Sequence, residues 1–158
     1  MTEIKRILDQ LNRAFEGEAW HGPAVREILG GITAQQAAAR PFNGTHSIWE
    51  LVLHIAAWER ACRSRLGGER AQLPDSEDWP EVNDTNEQGW VQAKEGLRQA
   101  HEELCEAVSK LDETRLDQPI IVGMSSVYVT LHGVIQHSLY HAGQIAILKK
   151  ASSEQERI

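Results

Sequence analysis

The amino-acid sequence predicts an all-α protein built as a bundle of long helices. Apolar residues recur at helical spacing through several long segments, and recognisable capping residues bound most of them. One long polar loop divides the chain, and no convincing succession of strands appears. A chain of 158 residues most simply forms one domain, 1–158, which is large enough to bury a core without disulfides.

The first long helix is predicted over Glu3–Phe15. Its apolar stripe consists of Ile4, Ile7, Leu8, Leu11 and Phe15. Two short helices should follow. In the stretch WHGPAVREILGG, Pro23 suits a helix start and Gly30 suits a helix end. In TAQQAAAR, Thr33 and Gln36 have the spacing of a capping box.

The second long helix has the clearest boundaries. Ser47 and Glu50 form a capping box before an apolar run, and Gly67 with Gly68 closes the helix. The apolar stripe consists of Ile48, Leu51, Ile55, Trp58, Cys62 and Leu66. At about 100° per residue, His54 falls at the margin of this stripe.

The second half of the chain is predicted to hold two more long helices. Residues 69–84 are polar, acidic and interrupted by Pro74 and Pro80, which predicts a loop. The third long helix should run from about Asn86 to Leu111, and the last from about Ser126 to Lys150. The apolar triplet at 120–122 between them has the composition of an extended segment.

Composition excludes several classes of protein. The net charge of −7 argues against a nucleic-acid partner. No apolar run approaches the roughly 18 residues of a membrane span, and the N-terminus lacks the pattern of a signal peptide, so we expect a soluble, cytoplasmic protein without a membrane partner. Cys62 and Cys105 lie in different helical segments and form neither a disulfide framework nor a Cys-x-x-Cys zinc motif.

Seven histidines are the unusual feature of the composition. His137 and His141 lie four residues apart within the apolar stripe of the last helix, a spacing that lets two imidazoles converge on one ion. His54 is a third histidine that leans inward, and it lies on another long helix. Metal sites in bundles are assembled from facing helices, and three protein ligands with an open position indicate a catalytic site.

For several other residues the sequence allows more than one role. Gln144 could hydrogen-bond a ligand histidine or a metal-bound water, or it could be an ordinary surface residue. Glu50 could orient His54, although its capping role already explains it. His101 is either a core histidine or a fourth ligand, whereas His132 should face solvent or a partner.

Three stretches of the chain resemble the DinB-like (DinB/YfiT) superfamily of metal-dependent enzymes. They are WHGP at 20–23, HSIWELVLHIAAWE at 46–59 and LHGVIQHSLYHAGQIAILKK at 131–150, and the last is the most specific. The resemblance implies an up-down-down-up four-helix bundle with short extra helices between the first two long ones. It also implies a divalent metal bound by His54, His137 and His141, with water as the usual fourth ligand.

The resemblance implies more about cofactors than about the reaction. Relatives include S-transferases that use low-molecular-weight thiols, so we expect a metal-dependent transferase with a small-molecule substrate and such a thiol as co-substrate. Zn or Ni is the expected metal, with Fe or Mn as alternatives. The rival hypotheses are a metal-dependent hydrolase and a non-catalytic, metal-stabilised binding module. A homodimer is also implied, and Trp49 and Trp79 are candidates for exposed aromatic residues at its interface.

Overall fold

The computed structural model describes residues 1–155, and over that range the chain is helical, without strands. The helices are α1 (Glu3–Phe15), α2 (Val25–Leu29), α3 (Ala34–Ala38), α4 (Ile48–Leu66), α5 (Asp75–Asp78), α6 (Glu87–Ser109) and α7 (Val127–Gln155), with a 3₁₀ turn at Glu113–Arg115 between α6 and α7. The four long helices pack together, which confirms the all-α bundle. The predicted domain also includes residues 156–158, which lie outside the described residues.

The order of side-chain contacts gives the directions of the long helices. As residue numbers rise along α1, the numbers of the residues contacted on α6 fall, so these two helices are antiparallel. The same holds for α4 and α7. Along α4 and α6 the numbers rise together, so these two helices are parallel. These contacts are Asn12–Cys105 and Phe15–His101, then Trp58–His137 and His54–His141, then Arg60–Gly96 and Arg63–Glu103. The bundle is therefore up-down-down-up, with α2 and α3 between the first two long helices as expected.

The capping box at the start of α4 forms as predicted. The Ser47 hydroxyl accepts a hydrogen bond from the backbone N–H of Glu50 at 3.2 Å, and the Glu50 carboxylate accepts one from the N–H of Ser47 at 2.7 Å. Arg40 also donates to Glu50. These bonds fix the first turn of α4, and they engage both carboxylate oxygens of Glu50 with Ser47 and Arg40.

The tryptophans proposed for an interface lie elsewhere. Trp49 is 3% exposed and packs against Trp90, with their ring centroids 5.2 Å apart. Trp90 is itself fully buried, and its indole N–H donates to the carbonyl oxygen of Ile32 at 2.8 Å. Trp79 is half-buried within the protein. The prediction that Trp49 and Trp79 are exposed was wrong, and the homodimer stays a prediction without their support.

Two predictions about the connecting segments also need correction. The segment 69–84 is not all loop, because α5 forms one helical turn after Pro74. Residues 120–122 do not form a strand, and the extended pairing there is an isolated antiparallel bridge between Pro119 and Ser126. Among the residues that the structure describes, no helix combines the length and the apolar character that crossing a bilayer requires.

Candidate metal centre

The three histidines predicted from the sequence meet between α4 and α7. His54 Nε2 lies 2.9 Å from His137 Nε2, which in turn lies 3.1 Å from His141 Nε2. One ring nitrogen from each residue lies within 4.8 Å of the others. His54 and His141 are buried, and His137 is partly exposed. The structure thus assembles a three-histidine cluster of the kind found in metal-binding proteins.

The hydrogen bonds around the cluster fix where its protons lie. His54 Nδ1 lies 2.8 Å from the carbonyl oxygen of Asp78, which can only accept, so Nδ1 carries the proton. His141 Nδ1 lies 2.6 Å from Gln144 Oε1, which makes it a donor in the same way. In the neutral rings, both remaining Nε2 atoms therefore present lone pairs toward His137.

His137 can satisfy only one of these lone pairs, because a neutral imidazole has one N–H. At least one of the two short Nε2–Nε2 contacts then lacks a proton between its nitrogens. A cation among the three nitrogens would relieve this repulsion. Ligand bonds of about 2.0–2.1 Å in tetrahedral geometry would separate the nitrogens by roughly 3.3 Å, close to the two Nε2–Nε2 distances that His137 makes with its neighbours. The donor set therefore fits a divalent ion.

The surroundings also favour the neutral form of His137 and His141. Burial, helped by the neighbouring His141 and His54, lowers the pKa of His137 to about 3. Burial likewise lowers the pKa of His141, although its hydrogen bond with Gln144 acts in the opposite direction. Imidazoles bind metal ions only in the neutral form, so the site is prepared for a cation at neutral pH.

The segment between α4 and α6 holds His54 in position. Besides its carbonyl oxygen, Asp78 places its Oδ1 3.1 Å from His54 Nδ1. The same Oδ1 accepts a hydrogen bond from the Trp58 indole N–H at 2.7 Å. Trp58 belongs to the predicted apolar stripe of α4, and its indole also orients this carboxylate. Asp78 thus fixes both the tautomer and the orientation of the His54 ring, as partners outside the ligand shell do in metal sites.

A stack of three rings closes one side of the centre. Trp79 lies flat against His54, with ring centroids 3.8 Å apart, and His46 stacks on its other face at 3.5 Å. Periodicity could not find Asp78, Trp79 or His46, because all three lie outside the long helices. The available signal was a large aromatic residue beside an aspartate, between two prolines, in an otherwise polar segment.

Two further histidines, His101 and His132, lie outside the cluster. His101 is buried beside Glu59 and Cys105, so it is a core histidine and not a fourth ligand. His132 was expected to face solvent or a partner. It is partly buried instead, with its ring 4.3 Å from that of Tyr128.

Gln144 takes the partner role that the sequence allowed, and its removal should weaken metal binding. Without the amide oxygen, His141 loses the acceptor that fixes its tautomer, so we expect Gln144→Ala to reduce metal affinity by about 10–100-fold. Titration of zinc against a competing chelator measures this change. Gln136→Ala is the matched control, because Gln136 is an exposed glutamine of the same helix. Equal affinities in the two variants would contradict the assignment.

A pocket of about 470 Å³ opens onto the centre at His141 and Gln144. Its other walls are mainly apolar and aromatic, and they include Phe42, Leu51, Trp79, Tyr140, Ile147 and Leu148. Tyr140 is 65% exposed at this pocket. A cleft of about 510 Å³ beside Phe15 contains none of the three histidines. The pocket at His141 could therefore hold a small molecule against the centre.

Comparison with known proteins identifies the family of the chain. The sequence model of the DinB superfamily matches residues 19–145, which include all three histidines and most of the bundle. No curated protein and no solved structure gave a match. Since the match covers well over half of the residues, the chain belongs to the DinB superfamily.

Proposed function

We propose that the protein is a metal-dependent enzyme of the thiol S-transferase type, with His54, His137 and His141 as the metal ligands. The observation that carries the proposal is the convergence of the three Nε2 atoms beside a mainly apolar pocket that His141 lines. Two of the three rings have their Nδ1 atoms anchored by acceptors, so the nitrogens are held in place before an ion binds. Zn or Ni is the expected ion.

Different side chains would have different roles in such a reaction. Asp78 and Gln144 orient two of the imidazoles. A divalent ion held by three neutral imidazoles would supply positive charge, which lowers the pKa of a thiol bound to it and makes a nucleophile available at neutral pH. Phe42, Trp79 and Ile147 would bind the carbon skeleton of an electrophile and exclude water from it.

The two rival functions have less support from the side chains. Hydrolysis at such a centre usually needs a carboxylate base near the attacking water. Glu50 is engaged in the capping box, and Asp78 is engaged by His54 and Trp58. A purely structural metal normally has four protein ligands, whereas the cluster in the described part of the chain has three.

Turnover with thiols and electrophiles tests the proposal. We expect the protein to consume an electrophile only when a low-molecular-weight thiol is present, to lose this activity on chelation, and to regain it when zinc or nickel is restored. His132→Ala should retain full activity, because His132 lies outside the cluster. Activity that survives complete removal of metal would refute a metal-dependent transferase, and metal-dependent turnover without thiol would favour the hydrolase.

A further inference from the structure

A second polar cluster lies inside the bundle and contains none of the three clustered histidines. It consists of Glu59 on α4 with His101 and Cys105 on α6. Glu59 and His101 are each 2% exposed, so a carboxyl and an imidazole are enclosed together in the core. Cys105 is half-buried, and its Sγ lies 3.9 Å from Oδ1 of the exposed Asn12 on α1. The Cys105 thiol therefore lies between the buried Glu59–His101 pair and the exposed edge of the α1–α6 contact.

The imidazole bridges the other two groups through its two nitrogens. His101 Nδ1 lies 3.4 Å from Glu59 Oε1, and His101 Nε2 lies 3.4 Å from Cys105 Sγ. The ring of Phe15 stacks on His101 with centroids 4.2 Å apart and holds its orientation. A histidine between a carboxylate and a thiol can take the proton of the thiol, while the carboxylate stabilises the imidazolium that forms.

Packing alone leaves part of this cluster unexplained. Glu59 Oε2 is buried without a hydrogen-bond partner, and a buried carboxylate is costly unless it faces a positive charge. Burial lowers the pKa of His101, but its contacts with Cys105 and Glu59 act in the opposite direction and raise it to about 9. Once His101 has taken the proton of the Cys105 thiol, the imidazolium gives Glu59 the countercharge it needs and faces the Cys105 sulfur with an N–H.

The charged groups around the cluster are few. Burial raises the pKa of Glu59, while His101 and Arg60 on its own helix act in the opposite direction. The contacts from α1 come from the uncharged side chains of Phe15 and Asn12. Cys62 on α4 is the other thiol of the chain, and burial raises its pKa to about 12. Cys62 is buried, whereas Cys105 is half-buried beside His101, so Cys62 is an internal reference for Cys105.

We propose that Cys105 is a nucleophilic thiol that exchanges with low-molecular-weight disulfides, with His101 as its proton acceptor. Cys105 Sγ attacks one sulfur of the disulfide R–S–S–R and forms a bond to it. The S–S bond of the reagent breaks, and its second sulfur leaves with the bonding pair. The proton taken up by His101 passes to this leaving thiolate, so the products are the Cys105 mixed disulfide and one RSH.

The rate of reaction with 2,2′-dithiodipyridine, a small disulfide, tests this without any substitution. We expect Cys105 of the folded protein to react at pH 6 at least tenfold faster than in the denatured chain. An ordinary thiol, with a pKa of about 8.5, is well under 1% thiolate at that pH. Mass spectrometry after brief labelling assigns the site, and Cys62 should remain unmodified. A folded-state rate at or below the denatured rate, or faster labelling of Cys62, would overturn the proposal.

Three variants separate the roles of the groups. Cys105→Ser should remove the fast reaction. His101→Gln should lower the rate at pH 6 by tenfold or more and leave the rate at pH 9 within about threefold, whereas the matched control His132→Gln should change neither rate. A fast reaction at pH 6 that persists in His101→Gln would contradict the role of the imidazole. Chelation should leave the rate of the wild-type reaction unchanged. A rate that falls on chelation would show that the reactivity depends on metal and would overturn the proposal.

Discussion

Replacing any one of the three clustered histidines by alanine should lower the affinity for a divalent ion by more than about 100-fold. Loss of a single partner outside the ligand shell already costs about 10–100-fold, and His54→Ala, His137→Ala and His141→Ala each remove one of three converging ligand nitrogens. Competition titration against a chelator measures the affinity, and elemental analysis of the purified variants measures the stoichiometry.

His132→Ala is the matched control for these three variants. His132 lies on α7 with two of the clustered histidines, yet it is outside the cluster, so its removal should leave both affinity and stoichiometry unchanged. Helical circular dichroism should be retained in all four variants, because the apolar core does not include these side chains. Wild-type stoichiometry in any of the three cluster variants would remove that residue from the ligand set.

The metal-free protein should lose stability as the pH falls below about 6.5. Burial and the neighbouring histidines lower the pKa of His137 to about 3 in the folded state, whereas an unfolded histidine titrates near 6.5. Between these values the unfolded chain binds more protons, so the free energy of unfolding decreases as the pH decreases. The lowered pKa of His141 acts in the same direction, and each group contributes at most about 1.4 kcal/mol per pH unit.

Urea unfolding of metal-free protein between pH 6.5 and 5 measures how the free energy of unfolding depends on pH, above the range where most carboxylates titrate. His137→Asn should reduce this slope, and His132→Asn should leave it unchanged. A slope that His137→Asn leaves unchanged would contradict the buried, neutral state of that ring.

The lowered pKa values also affect metal release. Because folded His137 and His141 resist protonation, metal affinity should fall in a more acidic range than unperturbed histidines would give.

Helical periodicity was sufficient to predict the all-α bundle and the members of the cluster, whereas the up-down-down-up order was implied by the family resemblance. The observed bounds of α1 agree with the predicted ones, and those of α4 follow from Ser47 and the glycines after Leu66. His54, His137 and His141 could be chosen because residues on an apolar stripe must face the core, whatever their polarity. The spacing of four between His137 and His141 then determines that both rings reach the same point.

Tertiary contacts decided what periodicity could not. Asp78 and Trp79 follow no repeat, and their positions against His54 depend on how the segment after α4 folds back. The burial of Trp49 was missed because it depends on Trp90, which packs against Trp49 in the same core cluster. This contact joins α4 to α6, and no local sequence pattern indicates it. His101 was left open for the same reason, since its partner Glu59 lies 42 residues away.

The metal content of the purified protein is the decisive measurement for the three-histidine site. Elemental analysis should be made on protein purified without a metal-affinity column, before and after titration with zinc or nickel. We expect one divalent ion per chain, held by wild-type protein and absent from a variant in which His54, His137 and His141 are all replaced by alanine. Wild-type protein that is isolated without metal and still binds no ion when titrated at neutral pH would contradict this expectation.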